Sequence, residues 1–319
     1  MFARRTFLCA SIAAASLAPM PRAQGRASMT RIRGATVGCS NVAEATEWYR
    51  RVLGYRVADR GTISEDDAQA WDAPACAGQA YSKLVPLGGS DVFVRLVEIE
   101  DVPEYEPLAS LGWGAIEITV QDVFAVADIM ARERVEILSP PAALAPGSPI
   151  RAMQVVGPGR EVLYLTDNIG DRKASNHPEA DAMIGRIFIM VLAGRDLPEM
   201  KSFYERTFGL SDQGDLVLPV PVLARAHGMP NDHKYDISVL VASERGNKVE
   251  LDLYPQHIGD RPQTSGMLPP GVAMTAIEVA DISALDVEWI SPPARFGSAP
   301  PTAVTRGPVG ELIEVISQP

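Results

Sequence analysis

Apolar residues either alternate with polar ones or recur every three to four positions, in an order that repeats four times along the chain. Ile32–Val37 reads as a short strand. After Ser40-Asn41, residues Val42, Ala45, Trp48, Tyr49 and Val52 recur at helical spacing until Gly54 stops the helix. Strands follow at Tyr55–Ala58, Tyr81–Val85 and Asp91–Ile99, with a polar loop at Ser64-Glu-Asp-Asp between the first two. The pattern restarts with a strand at Ala115–Val120, a helix from Asp122 to Glu133, a strand at Val135–Leu138 and a closing pair that ends at Asp167. A third round opens at Arg186–Leu192. Asp196 is its helix N-cap, Leu197, Met200, Phe203, Tyr204, Thr207 and Phe208 form the stripe, and Gly209 is the stop. Strands at Leu216–Leu218, Tyr235–Val241 and Lys248–Tyr254 complete it. The last round runs from Met274–Val279 to Leu312–Ile316, and its helix after Asp281 is cut to one turn because Trp289-Ile290 arrives early.

One stretch is written twice. Ser139-Pro-Pro-Ala leads to Gly157-Pro-Gly-Arg-Glu161, and Ser291-Pro-Pro-Ala leads to Gly307-Pro-Val-Gly-Glu311. Repetition at a nearly constant offset is the mark of duplicated supersecondary units. The expected architecture is therefore α+β, with four βαβββ modules paired into two tandem domains of mixed, curled sheet, each around a cavity. The expected boundaries are a targeting segment at 1–27, domain one at 30–167, a linker at 168–183 and domain two at 184–319.

Charge and targeting narrow the partners. The formal charge is −11, and −15 once the four arginines of residues 1–27 are set aside. So acidic a surface argues against nucleic acid or an anionic membrane as partner; a homodimer is left open. Arg4-Arg5-Thr6-Phe7-Leu8 followed by an uncharged apolar run is a twin-arginine type signal, and it implies a periplasmic protein. Cys39 and Cys76 are expected to be free, partly buried thiols, since two cysteines make no disulfide framework.

Two helix stretches resemble a known family. Asn41-Val-Ala-Glu-Ala-Thr-Glu-Trp-Tyr49-Arg-Arg-Val-Leu-Gly54 and Asp196-Leu-Pro-Glu-Met-Lys-Ser-Phe-Tyr204-Glu-Arg-Thr-Phe-Gly209 are similar to the opening helix of the vicinal oxygen chelate superfamily. That group includes glyoxalases, bleomycin-resistance proteins and extradiol dioxygenases. Lys248-Val-Glu-Leu and Gly310-Glu-Leu-Ile-Glu314-Val resemble its strand endings. The resemblance implies a metal site with ligands on four strands. Those places fall at Gly34, Arg95, Ala115 and Tyr164 in the first half, and near Ile189, Glu250, Met274 and Glu314 in the second. The family's histidines are missing, so no metal is expected at Gly34 and Ala115; a divalent cation held by Glu250 and Glu314 stays an open alternative.

Alternation then names the inward residues. In the first half Phe93, Arg95, Glu117 and Tyr164 share a face and are candidate substrate contacts. In the second, Glu250, Asp252 and Tyr254 share a face with Met274, Glu278 and Glu314. Four converging carboxylates would raise one another's pKa, so Glu314, Glu250 and Glu278 are the candidate catalytic residues, with Tyr254 and Met274 against the substrate. His177 and His257 are expected in solvent. His227 and His233 flank Gly228-Met-Pro230 in an insertion, Val222–His233, that reads as a short helix or lid, and His227 is the candidate base. The expected function is acid–base chemistry of lyase or isomerase type on an aromatic or polycyclic molecule. The alternatives are a small-molecule sequestration protein and a dioxygenase-like metal enzyme with rearranged ligands.

Overall fold

The structure, a computed structural model, describes residues 28–171, 176–294 and 300–318. The expected targeting segment lies outside the described residues, as does part of the expected linker.

The first module comprises β1 (Met29–Cys39), α1 (Val42–Val52), β2 (Arg56–Thr62), α2 (Glu65–Ala70), β3 (Ala80–Val85) and β4 (Phe93–Glu98). The second comprises β5 (Gly112–Val120), α3 (Val123–Arg132), β6 (Ile137–Ala143), β7 (Ile150–Val156) and β8 (Val162–Asn168). The third comprises β9 (Ile184–Gly194), α4 (Leu197–Phe208), β10 (Ser211–Pro219), α5 (Pro221–Ala226), β11 (Lys234–Val241) and β12 (Lys248–Leu253). The fourth comprises β13 (Gly271–Val279), a 3-10 turn at Ile282–Ala284, β14 (Trp289–Ala294), β15 (Thr302–Arg306) and β16 (Leu312–Ser317).

The helices start and stop where side chains satisfy the free ends of the backbone. Asn41, Asp122 and Asp196 each accept a hydrogen bond from a backbone N–H of the first turn. Gly209 ends α4 in the left-handed region at φ 62°, a conformation that glycine adopts without a Cβ clash. The polar loop expected at Ser64 is in fact α2, capped by the Ser64 hydroxyl with three acids in its first turn.

Strand pairing differs from the expected grouping. Two eight-stranded sheets form, and each takes one module from each half of the chain. In sheet A, β1 of the first module pairs antiparallel with β13 of the fourth. In sheet B, β5 of the second pairs with β9 of the third. Alternation along a strand assigns a face, but it does not say which strand lies beside it.

A single apolar cluster carries the outer face of both sheets together with α1, α3 and α4, including Ile32, Tyr49, Ile116, Val126, Met190, Tyr204 and Ile277. The repeated Gly-Pro turns lock the sheets to each other through this layer. Tyr49 of α1 donates to Glu161 Oε1 at 2.6 Å across to sheet B, and Tyr204 of α4 donates to Glu311 Oε1 at 2.8 Å across to sheet A. Each carboxylate also accepts a turn N–H, from Gly159 and Val309 respectively. A Cβ on Gly157 or Gly307 would sit 2.1 or 1.9 Å from the glutamate, which explains the glycine in both copies. Burial pushes both acids up to about 7. Where α3 covers the second module, the fourth has only its 3-10 turn. An open groove of about 840 Å³ lies beside this turn, bordered by Phe203 of α4 and Trp289 of β14.

Candidate functional site

Each sheet presents its inner face to an insertion that sits between the second and third strands of a module. In sheet A the insertion is α2 and the turn Pro74–Cys76, which bury Ala68, Trp71 and Cys76 against Val97, Met274, Val304 and Leu312. Asp72 ties it to Arg306 of β15, near the far edge of the sheet, at 2.6 Å. In sheet B it is α5, whose Val222, Leu223 and Ala224 pack with Ile189, Val191 and Ile237. Arg225 of α5 donates to the Leu138 carbonyl of β6, the far edge strand, at 2.6 Å. Both inner faces are thus lidded, and both lids are held at the opposite rim.

Inside sheet A the polar groups close on one another. Arg95 donates through Nε and Nη2 to Thr36 Oγ1 at 3.0 and 2.8 Å, and through Nη2 and Nη1 to Glu314 at 2.8 and 3.4 Å. Its guanidinium lies 4.6 Å from the Trp71 ring centre and 5.5 Å from that of Phe93. A forked ion pair with an aromatic ceiling is a satisfied arrangement. Lys83 stands over Phe93 at 4.2 Å, and burial, then the charge of Arg95, lowers its pKa. Further along, Glu278 binds Arg33 at 2.8 Å and Arg31 at 3.1 Å. Burial alone would raise this carboxyl, but hydrogen bonds from Arg31, Arg33 and Gln318 hold it at about 2. Met274 is fully buried beneath the α2 lid, packed among apolar side chains.

Inside sheet B the groups do not close. Glu117 of β5 and Tyr164 of β8 are register partners, and Lys248, Glu250 and Asp252 alternate along β12 two strands away. Asp252 is 2% exposed and its Oδ1 has no partner among the described residues; the hydroxyls of Tyr164 and Tyr254 have none either. Thr166 Oγ1, two residues from Tyr164 on β8, is unpartnered as well, and an unsatisfied buried polar group costs about 1–3 kcal/mol. Burial raises Asp252 to about 7. Burial, then the charges of Asp252 and Glu117, raises Glu250 well above the usual range, and burial raises Glu117. Lys248 is lowered by burial.

These placements revise the expected sites. Arg95 and Phe93 belong with Glu314 and Glu278 in sheet A, not with Glu117 and Tyr164. Glu250 belongs in sheet B, apart from Glu314, so the two cannot share a cation. The cause is the crossed pairing of modules. It also regroups the family's ligand positions as Gly34, Arg95, Met274 and Glu314 in one sheet, and Ala115, Tyr164, Ile189 and Glu250 in the other. Each set holds one carboxylate, and the first is occupied by a guanidinium; neither fits a divalent ion. Among the described residues no three His, Cys, Asp or Glu side chains are grouped to hold a metal.

His227 is not a solvated lid histidine. It is buried, its Nε2 lies 2.9 Å from the Leu108 carbonyl, and its Nδ1 lies 2.9 Å from the Tyr235 hydroxyl. A carbonyl only accepts, so Nε2 carries the proton and Nδ1 accepts from Tyr235. With both nitrogens engaged it anchors α5 and is not a free base; burial lowers its pKa. His177 is also buried, edge-on to Phe188 at 4.7 Å, while His257 is exposed. Cys39 and Cys76 are both free and buried. The sequence reading passed over Trp71, hidden in a polar insertion, and Lys248, although its spacing of two from Glu250 put it on the same face.

The chain has the fold of the vicinal oxygen chelate superfamily. Glyoxalase I from Zea mays matches with a TM-score of 0.62 at 17% identity, over 90% of this chain and 92% of that one. A putative dioxygenase from Bacillus subtilis subsp. subtilis str. 168 matches with a TM-score of 0.62 at 14% identity, over 92% of this chain and 86% of that one. At these identities the likeness is one of fold. No family model matches the sequence, and no curated protein matches it.

Proposed function

We propose that this chain is a small-molecule enzyme that transfers protons inside sheet B. Asp252 and Glu250 are its working acids, and Glu117, Tyr164 and Tyr254 hold the substrate. The observation that supports the reading is Asp252 itself, buried, with one oxygen unpartnered and a carboxyl raised to about 7. A group near its midpoint at working pH is available as acid and as base, which is what proton transfer to and from a substrate asks of it. The reaction class is lyase or isomerase, in which a C–H proton is removed and returned or a leaving group departs with no external oxidant. The tyrosine rings favour an aromatic substrate. The two structural relatives are named as a glyoxalase and a putative dioxygenase, both enzyme names, which agrees with an enzymatic role. The twin-arginine type start supports a periplasmic setting for this activity.

The test is turnover of a panel of aromatic compounds bearing an acidic C–H. Asp252→Asn and Glu250→Gln are expected to lower kcat at least about 10²-fold with unchanged circular dichroism, while Glu314→Gln leaves kcat close to that of the parent. Activity that survives both sheet B variants sinks the reading, and loss of activity in Glu314→Gln alone moves the chemistry to sheet A.

A further inference from the structure

We propose that the interior of sheet B binds a ligand bearing an ammonium group, placed between Asp252, Glu250 and the hydroxyls of Tyr164 and Tyr254. This rests on the reading of sheet B as the site and names the chemistry of what enters it.

Three features carry it. The first is the balance of charge. Among the described residues the cation beside Glu117 and Glu250 is Lys248, Arg261 acts on Tyr254, and burial lowers the pKa of His227 on the lid side. Once ionised, an excess of buried carboxylates repels anions and is left short of positive charge. The second is the chemistry of the unpartnered atoms. Asp252 Oδ1, Tyr164 Oη and Tyr254 Oη are all oxygens, and each accepts a hydrogen bond. An ammonium has three donors and no acceptor, so it matches the acceptor on Asp252 and those on the tyrosines, whose own O–H protons turn to the neighbouring carboxyls. A carboxylate or phosphate, with acceptors only, would leave the ionised Asp252 unpaired and add repulsion. The third is the aromatic wall. Tyr254 lies 4.4 Å from His227 ring to ring, with Tyr235 beyond it, and tyrosine faces attract a desolvated cation. Sheet A offers the opposite chemistry, because Arg95, Arg31 and Arg33 already hold its carboxylates.

Because the acids must give up protons to hold a cation, binding of an amine is linked to pH. Affinity should rise from about pH 5 to about pH 8, with protons released on binding. The probes are benzylamine, benzyl alcohol and benzoate, titrated calorimetrically into the protein in two buffers of different ionisation heat. Benzylamine is expected to bind at least about tenfold more tightly than benzyl alcohol, with proton release, and benzoate not at all. Asp252→Asn should weaken benzylamine about tenfold and leave benzyl alcohol unchanged. Equal binding of alcohol and amine, or binding without proton release, overturns the ammonium and leaves the site standing. If no probe binds either the parent or Arg225→Ala, whose lid has lost its tie to Leu138, both the inference and the site fall.

Discussion

The two sheets are built from the same modules and lidded at the same place, yet they treat buried charge in opposite ways. Among the described residues of sheet A, Glu314 meets Arg95, and Glu278 meets Arg31 and Arg33, with Arg33 Nε the one buried nitrogen of these arginines left unpartnered. In sheet B the cation beside Glu117 and Glu250 is Lys248, and Asp252 Oδ1 and two tyrosine hydroxyls have no partner among the described residues. A paired interior is a finished piece of structure. An unpaired one carries a standing cost, and folds keep such costs where a ligand or a reaction makes use of them. A duplicated architecture allows this division, since one sheet pairs its inward carboxylates with arginines and the other does not.

The largest effect should come from breaking the finished side. Arg95→Leu leaves Glu314 buried without its partner and should destabilise the protein by about 3–5 kcal/mol. Thermal or denaturant unfolding reads this directly, and binding at sheet B should survive in the molecules that remain folded. If Arg95→Leu costs nothing, the ion pair is not what holds the inner face of sheet A, and the contrast between the sheets weakens.

Much of the fold was legible because its signals are local. The helices at Val42, Val123 and Leu197 follow from Asn41, Asp122 and Asp196 and their stripes, and the shortened fourth helix follows from the early arrival of Trp289. The faces of Arg95, Glu117, Glu250 and Glu314 follow from alternation. The neighbour of each strand does not, because β1 chooses β13 through contacts about 240 residues apart in sequence, which no local pattern encodes. That single gap scattered the candidate site. It joined Glu314 to Glu250, separated Arg95 from its carboxylate, and hid that the carboxylates of one interior meet arginines while those of the other do not. The role of His227 was out of reach for the same reason, since Leu108, more than a hundred residues away in sequence, meets it only in the folded chain.

A smaller effect tests where the two halves agree. Glu161 and Glu311 are buried alike, bonded alike to Tyr49 and Tyr204, and both raised to about 7 from an unfolded value of 4.5. A carboxyl raised on folding contributes stability that is complete below its unfolded pKa and is lost as pH rises through the folded one. The parent should therefore lose stability between about pH 4.5 and pH 7. Glutamine mimics the protonated acid, its amide donating to the tyrosine oxygen and its carbonyl accepting from the turn. Glu161→Gln and Glu311→Gln should each flatten this fall, with a gain on the order of 3 kcal/mol at most at pH 8. Unequal responses from the two variants would mean that the two locks are not equivalent.

The contrast reduces to two carboxyls. Followed by carbon-13 NMR of the side-chain carboxyl carbons across the acid and neutral range, Asp252 of sheet B should titrate near 7 and Glu278 of sheet A near 2. Asp252→Asn and Glu278→Gln assign the two resonances. Midpoints for both near the ~4 of free carboxylates would contradict the account, because the two interiors would then treat charge alike.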